Sequence, residues 1–118
     1  MQRDDIACLH HILDAAGKEL SFVKGKTRKD LDRDKMLALS LVRLLEIIGE
    51  AANGVSPAFR DRFLYIPWRK MTGLRNRLIH GYFDVNLDIV WDTILEDLPP
   101  LVKGLEELIS STDTRPEN

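Results

Sequence analysis

The sequence predicts an all-α fold, a small up-and-down bundle of four to six helices, and three observations predict it. Apolar residues recur at three- and four-residue steps through most of the chain. Aspartate, serine, threonine and asparagine stand where those runs begin, and glycine stands where several of them end. No stretch of useful length alternates apolar and polar residues as a half-buried strand does.

Taken in order, Asp4 or Asp5 can cap a first helix in which Ile6, Leu9, Leu13, Ala16, Leu20 and Val23 share a face, and Gly25 ends it. Thr27 and Asp30 have capping-box spacing and open a short turn of helix. Asp32 or Asp34 can cap a long second helix to about Asn53, with Gly54 as its stop. That helix carries Leu37, Leu41, Leu44, Leu45, Ile48 and Ala52 on one broad face. Leu39, Val42 and Ile47 lie opposite, beside Arg43 and Glu46. A helix apolar nearly all round must be buried nearly all round, so it is either central or shared with a second subunit. A homodimer is the reading adopted here.

Ser56 and Pro57 have the cap and first-turn positions of a short third helix. Ile66-Pro67-Trp68 repeats the device and opens a fourth helix through about Ile79, with Met71, Leu74 and Leu78 facing inward. Gly81 follows where a left-handed residue is wanted. Asn86 can cap a fifth helix carrying Leu87, Val90, Trp91, Ile94 and Leu95. Asp97 with Pro99 then restarts or kinks the chain into a last helix to about Ser110.

A chain of 118 residues is one domain's worth, and its 44% apolar and 31% charged content is that of an ordinary globular protein. No apolar run approaches the roughly 20 residues that span a bilayer, and the N-terminus has no signal-peptide pattern. The single cysteine, Cys8, leaves no internal disulfide and fits a reducing compartment, so a cytoplasmic location is expected. Net charge is −2, which argues against broad electrostatic attraction to nucleic acid. The distribution is uneven, however. Residues 60–82 hold Arg60, Arg62, Arg69, Lys70, Arg75 and Arg77 against Asp61 alone, a local +5, whereas residues 83–118 hold two basic and nine acidic side chains. An anionic ligand would favour the central segment, and the acidic end could face a basic partner; solvated helix faces of uneven charge are the plainer alternative.

Within that basic segment, Arg75, Asn76, His80 and Tyr82 are the compact polar set. Five residues turn a regular helix by about 140°, so one straight helix would not aim Arg75 and His80 at one spot. Either the helix ends near His80 and Gly81 re-aims the chain, or the residues meet counterparts from a second subunit. Asn76 and His80, four apart, would share a face. A histidine in a last helical turn sits against partial negative charge, which favours its protonated form. Arginine with histidine suits phosphodiester cleavage without metal: the histidine exchanges protons, and the arginine holds phosphate and the charge developing on its oxygens. A histidine at a helix end can equally serve only to cap carbonyl groups.

These residues resemble a family. The pattern R-x-x-x-x-H-x-Y, met by Arg75, His80 and Tyr82, with Asn76 after the arginine, is that of the HepT subgroup of the HEPN superfamily, small helical ribonuclease toxins of toxin–antitoxin pairs. Residues 45–52, Ile66-Pro67-Trp68-Arg69 and residues 80–91 are similar to family segments in the expected order, and the resemblance covers most of residues 4–110. It implies one HEPN-type domain over residues 1–118, dimerising so that the motif helices meet at a shared cleft. It also implies RNA cleavage with no metal or cofactor, and a partner, a minimal nucleotidyltransferase antitoxin able to transfer AMP to Tyr82. Phosphate added there would occupy the anion site and repel RNA. The alternative is a non-catalytic HEPN module that binds nucleotide or that antitoxin.

Other residues are read as structural. Glu46 and Glu50 have no histidine at Glu-x-x-His spacing and are expected to pair with Arg43 or with arginines of the fourth helix rather than hold metal. His10 and His11 are read as surface, Cys8 as core or interface, and Trp68 and Trp91 as anchors of the bundle. The stretch from Lys24 to Lys35 is read as a solvated connection.

Overall fold

The structure, a computed structural model, describes residues 3–80 and 84–112. Three long helical runs make the bundle: α1 (Arg3–Val23), α3 (Lys35–Asn53), and a C-terminal run in which α7 (Leu87–Asp92) passes through a π turn (Thr93–Asp97) into α8 (Leu98–Thr112). Short helices α2 (Arg28–Arg33), α4 (Pro57–Arg62), α5 (Trp68–Thr72) and α6 (Leu74–Leu78) join them. Among the described residues the fold is therefore all-α apart from one hairpin of two-residue strands, β1 (Ile79–His80) and β2 (Asp84–Val85).

Most expected boundaries have the expected cause. Asp34, Ser56 and Asn86 accept hydrogen bonds from the backbone N–H groups of Leu37, Phe59 and Ile89, three residues on, capping α3, α4 and α7. The Thr27 N–H and hydroxyl both donate to the Asp30 carboxylate at the start of α2. Gly25 ends α1 with φ of 76°, a conformation that a side chain makes costly. Gly54 stops α3 differently, since its backbone stays right-handed (φ −77°). A Cβ there would lie 2.9 Å from Cys8 Sγ, so close approach of α1 explains that glycine.

The core lies where α1 packs against α3 and against α8. Leu9 and Ile12 of α1, Leu41, Leu45 and Ile48 of α3, and Leu105 and Leu108 of α8 are all fully buried, each stabilising the fold by roughly 1.5–3 kcal/mol. The inward stripe of α1 differs from the expected one. Asp5, Leu9, Ile12, Ala16, Glu19 and Val23 are buried, whereas Ile6, Leu13 and Leu20 are half-buried at its flank. Two carboxylates occupy core positions, which is why apolar spacing alone chose the neighbouring stripe.

Asp5 is not the expected cap of α1. Its carboxylate accepts from the Ser56 N–H at 2.7 Å and the Ser56 hydroxyl at 2.9 Å, tying the start of α1 to the start of α4. Glu19 has no hydrogen-bond partner among the described residues, and burial pushes its carboxyl up to about 9.

The C-terminal run is continuous rather than restarted. Buried residues fall at Val90, Ile94 and Leu98, then at Leu101, Leu105 and Leu108. Two successive four-residue steps overshoot a regular helix by about 80°. The π turn absorbs that overshoot: the Leu98 N–H donates to the Thr93 carbonyl five residues back, so both ends keep their apolar side inward. Pro99 and Pro100 follow directly on the π turn, so their missing N–H groups fall where the ladder is already irregular.

Candidate active site around Arg75 and His80

The segment that carries the motif is positioned from its upstream side. Trp68 is buried, its indole N–H donates to the Phe63 carbonyl at 3.0 Å, and its ring meets Phe59 edge-on at 6.4 Å. These contacts fix the start of α5. The expected fourth helix is then broken at Gly73, whose N–H bonds back to the Arg69 carbonyl at 3.0 Å while α6 begins after it. Met71, Leu74 and Leu78 face inward as expected. Gly49 of α3 admits them, since a Cβ there would lie 3.0 Å from the Met71 carbonyl.

Arg75, Asn76 and Arg77 form the exposed side of α6. Arg77 and Lys70 both reach Asp97, at 4.0 and 3.8 Å. Arg75 is exposed and has no ion pair or hydrogen bond among the described residues.

The helix ends at Leu78, so of the two alternatives the helix ending near His80 is the one found, and two expectations are corrected. Ile79 and His80 are extended and pair antiparallel with Val85 and Asp84, and the Asn86 N–H closes the ladder onto the Leu78 carbonyl at 2.8 Å. His80 is therefore not in a last helical turn, and the helix-dipole argument for its protonation does not apply. Asn76 and His80 do not share a helix face. The 140° separation is also moot, because Arg75 and His80 belong to different elements joined by a helix-to-strand change. The physical reason is the ladder, which satisfies backbone groups that a further helical turn would otherwise take. Gly81 and Tyr82 lie outside the described residues.

The residues read as structural behave so. Arg43 pairs with Glu46 at 3.4 Å and Glu50 at 3.5 Å. His10 and His11 are exposed. Cys8 is half-buried against α3, and burial, with Asp5 and Asp4 nearby, raises its thiol above the ordinary value. The stretch from Lys24 to Lys35 is more than a connection: Arg28 bonds Asp32 and, 60 residues away, Asp88 at 2.8 Å, which ties α2 to α7. Sequence reasoning counted Arg60 and Arg69 only as charge, although they line one cavity.

The profile of the family described as Ribonuclease HepT-like matches residues 12–108, which includes Arg75 and His80. The chain belongs to the HepT-like ribonucleases of the HEPN superfamily. It is 41% identical over 101 residues to a protein provisionally named RNase in Caldanaerobacter subterraneus subsp. tengcongensis, covering 86% of this chain and 90% of that one. Another provisionally named RNase, of Methanocaldococcus jannaschii, is 38% identical over 89% of this chain and 96% of its own length. A protein of Thermococcus cleftensis provisionally named ribonuclease HepT is 35% identical over 89% of this chain and 90% of its own. No solved structure matches significantly. Among the described residues of this HepT-like chain, no helix is long and apolar enough to cross a membrane.

Proposed function

We propose that this HepT-like chain is a metal-independent endoribonuclease, the toxin of a toxin–antitoxin pair, and that it cuts RNA as a homodimer in the cytoplasm. The observation that carries the reading is Arg75, exposed on α6 with no ion pair among the described residues, four residues before the strand of His80. Arg75 holds the scissile phosphate and stabilises the charge that builds on its oxygens. The ribose 2′-oxygen attacks phosphorus while the bond to the 5′-oxygen breaks, leaving a 2′,3′-cyclic phosphate and a 5′-hydroxyl. His80 of one subunit takes the 2′-hydroxyl proton, and His80 of the other gives a proton to the leaving oxygen. Asn76 orients the phosphate.

The outer side of α3 supports the dimer. Met36 and Leu39 are 79% and 61% exposed, and Leu39 lines a groove of about 310 Å³ with Val42, Val85 and Leu87, its wall completed by residues that include Asp32 and Lys35. Val85 is the strand partner of Ile79, so a second copy seated in that groove would lie beside the His80 hairpin. The antitoxin, a minimal nucleotidyltransferase, would silence the site by transferring AMP to Tyr82. The whole chain, residues 1–118, reads as one such domain.

The test is cleavage of a short RNA in the presence of a chelator. Arg75→Ala and His80→Ala should each lower the rate by about 10²–10³ while leaving the fold intact, and a 2′-O-methyl RNA should resist the wild type. Cleavage by both variants at the wild-type rate would refute the site. Nucleotide binding without any cleavage would favour the non-catalytic module instead.

A further inference from the structure

The basic segment contains a second feature that the motif does not use. Arg60 of α4 and Arg69 of α5 line one open cavity of about 520 Å³, together with Asp61, Leu64, Pro67 and Trp68. That volume lies within the range of small-molecule sites, roughly 300–1,000 Å³. Among the described residues neither arginine has an ion pair, and the buried Nε of Arg60 has no hydrogen-bond partner. The two basic residues that do find a carboxylate in this segment, Lys70 and Arg77, take Asp97. Asp61 is the one acidic group in the cavity wall, so the cavity keeps a net positive charge.

The remaining wall is apolar and rigid. Trp68 is pinned by its hydrogen bond to Phe63 and by Phe59. Leu64 at the rim is 75% exposed, an apolar side chain left in water beside two cations. A buried donor without an acceptor is costly, and an exposed leucine at a cationic rim is matched by a ligand with an anionic end and a flat apolar end.

We propose that this cavity is a nucleoside-phosphate subsite, in which Arg60 and Arg69 hold the phosphate and Leu64 and the apolar wall take the base or sugar. Its ligand is a nucleotide of the RNA strand away from the bond that is cut. That source rests on the ribonuclease reading above, whereas the phosphate subsite stands on the cavity alone.

The chain has two tryptophans, so Trp91→Phe leaves Trp68 as the sole indole reporter in the cavity wall. Titrating this protein with AMP, with adenosine, and with a non-cleavable 2′-O-methyl oligonucleotide should give saturable fluorescence changes for AMP and the oligonucleotide, and none for adenosine. Arg60→Gln with Arg69→Gln should weaken both by about tenfold or more. Arg69→Gln alone, at an exposed position, should weaken both without a folding change. Arg75→Ala should keep its AMP affinity. If AMP does not bind, or binds with unchanged affinity to the double variant, or is lost only in Arg75→Ala, the subsite is wrong. If only AMP binding depends on the arginine pair, the site takes a free nucleotide and the strand assignment falls. Parallel RNA cleavage separates the two readings: AMP binding at Arg60 and Arg69 in a protein that cuts no RNA would sink the ribonuclease and leave the subsite standing.

Discussion

Glu19 shows what a single residue can do against a pattern. It sits on the core stripe of α1 between Ala16 and Val23, fully buried and without a partner among the described residues. Its carboxyl is raised from 4.5 to about 9, so the folded protein holds a proton that the unfolded chain releases. Stability from this group is therefore intact below about pH 4.5, declines by about 1.4 kcal/mol per pH unit above it, and stops declining near pH 9. Glu19→Leu should remove that decline and stabilise the protein at pH 7 by on the order of 2 kcal/mol. Urea unfolding at several pH values checks it; a wild-type stability that is flat from pH 5 to 8 would mean the carboxylate is ionised and paired. Asp5 is the opposite case, a buried carboxylate with two donors. Asp5→Ala should cost about 1–3 kcal/mol in thermal unfolding, because it orphans the Ser56 N–H. Neither role was legible in the sequence. A carboxylate on a helix reads as surface until its long-range neighbours are known, and Ser56 is 51 residues from Asp5.

At the scale of elements, legibility followed the range of the forces. Caps at Asp34, Ser56 and Asn86 act over three residues, and all three were readable. The break at Gly73 was not, nor was the strand after Leu78, although the helix end itself fell within one residue of the expected Ile79. The strand depends on a partner outside the helix, β2, and helical spacing of Met71, Leu74 and Leu78 continues through the break at Gly73. The Gly54 stop was found for the wrong reason, and the difference is measurable. Gly54→Ala should destabilise because its Cβ would meet Cys8 Sγ. Cys8→Ala should relieve most of that loss, giving a coupling of about 0.5–3 kcal/mol in a double-mutant cycle. Independent losses would show instead that the backbone conformation of Gly54 is what matters. The outer face of α3 was read from the sequence as needing cover, and Met36 and Leu39 are indeed uncovered within one chain. For the dimer proposed above, Leu39→Asp should shift sedimentation to monomer without lowering helix content; a wild type that sediments as monomer would refute the dimer, and an unchanged dimer would place its interface elsewhere.

For the whole molecule, charge is more informative than fold. The net value of −2 conceals a basic middle and an acidic end, and the structure neutralises only part of the former, through Asp97. Arg60, Arg69 and Arg75 remain without ion pairs among the described residues. An RNA strand held by such a surface should bind with a steep salt dependence, log affinity falling by roughly 0.7 per phosphate contact for each tenfold rise in salt. Removing Arg69 should lower that slope as well as the affinity, which filter binding at several salt concentrations can read. The all-α class and the motif were legible because both are local patterns. How Arg75 is presented was not, since it depends on a hairpin joining residues before and after Gly81.

The π turn between α7 and α8 gives the chain a place where its length can change. A turn of this kind is a helix holding one residue more than its hydrogen-bond pattern needs. Deleting Leu95, 47% exposed within it, should let the run heal into an ordinary α-helix with Val90 and Leu98 still facing the core. A deletion of Glu106, within regular α8, would instead rotate everything after it by about 100°. Thermal melts of the two deletions should therefore differ widely, with the first close to wild type. Chains of this type that differ by one residue in length would most readily do so here, through a step that leaves the bundle's packing in phase.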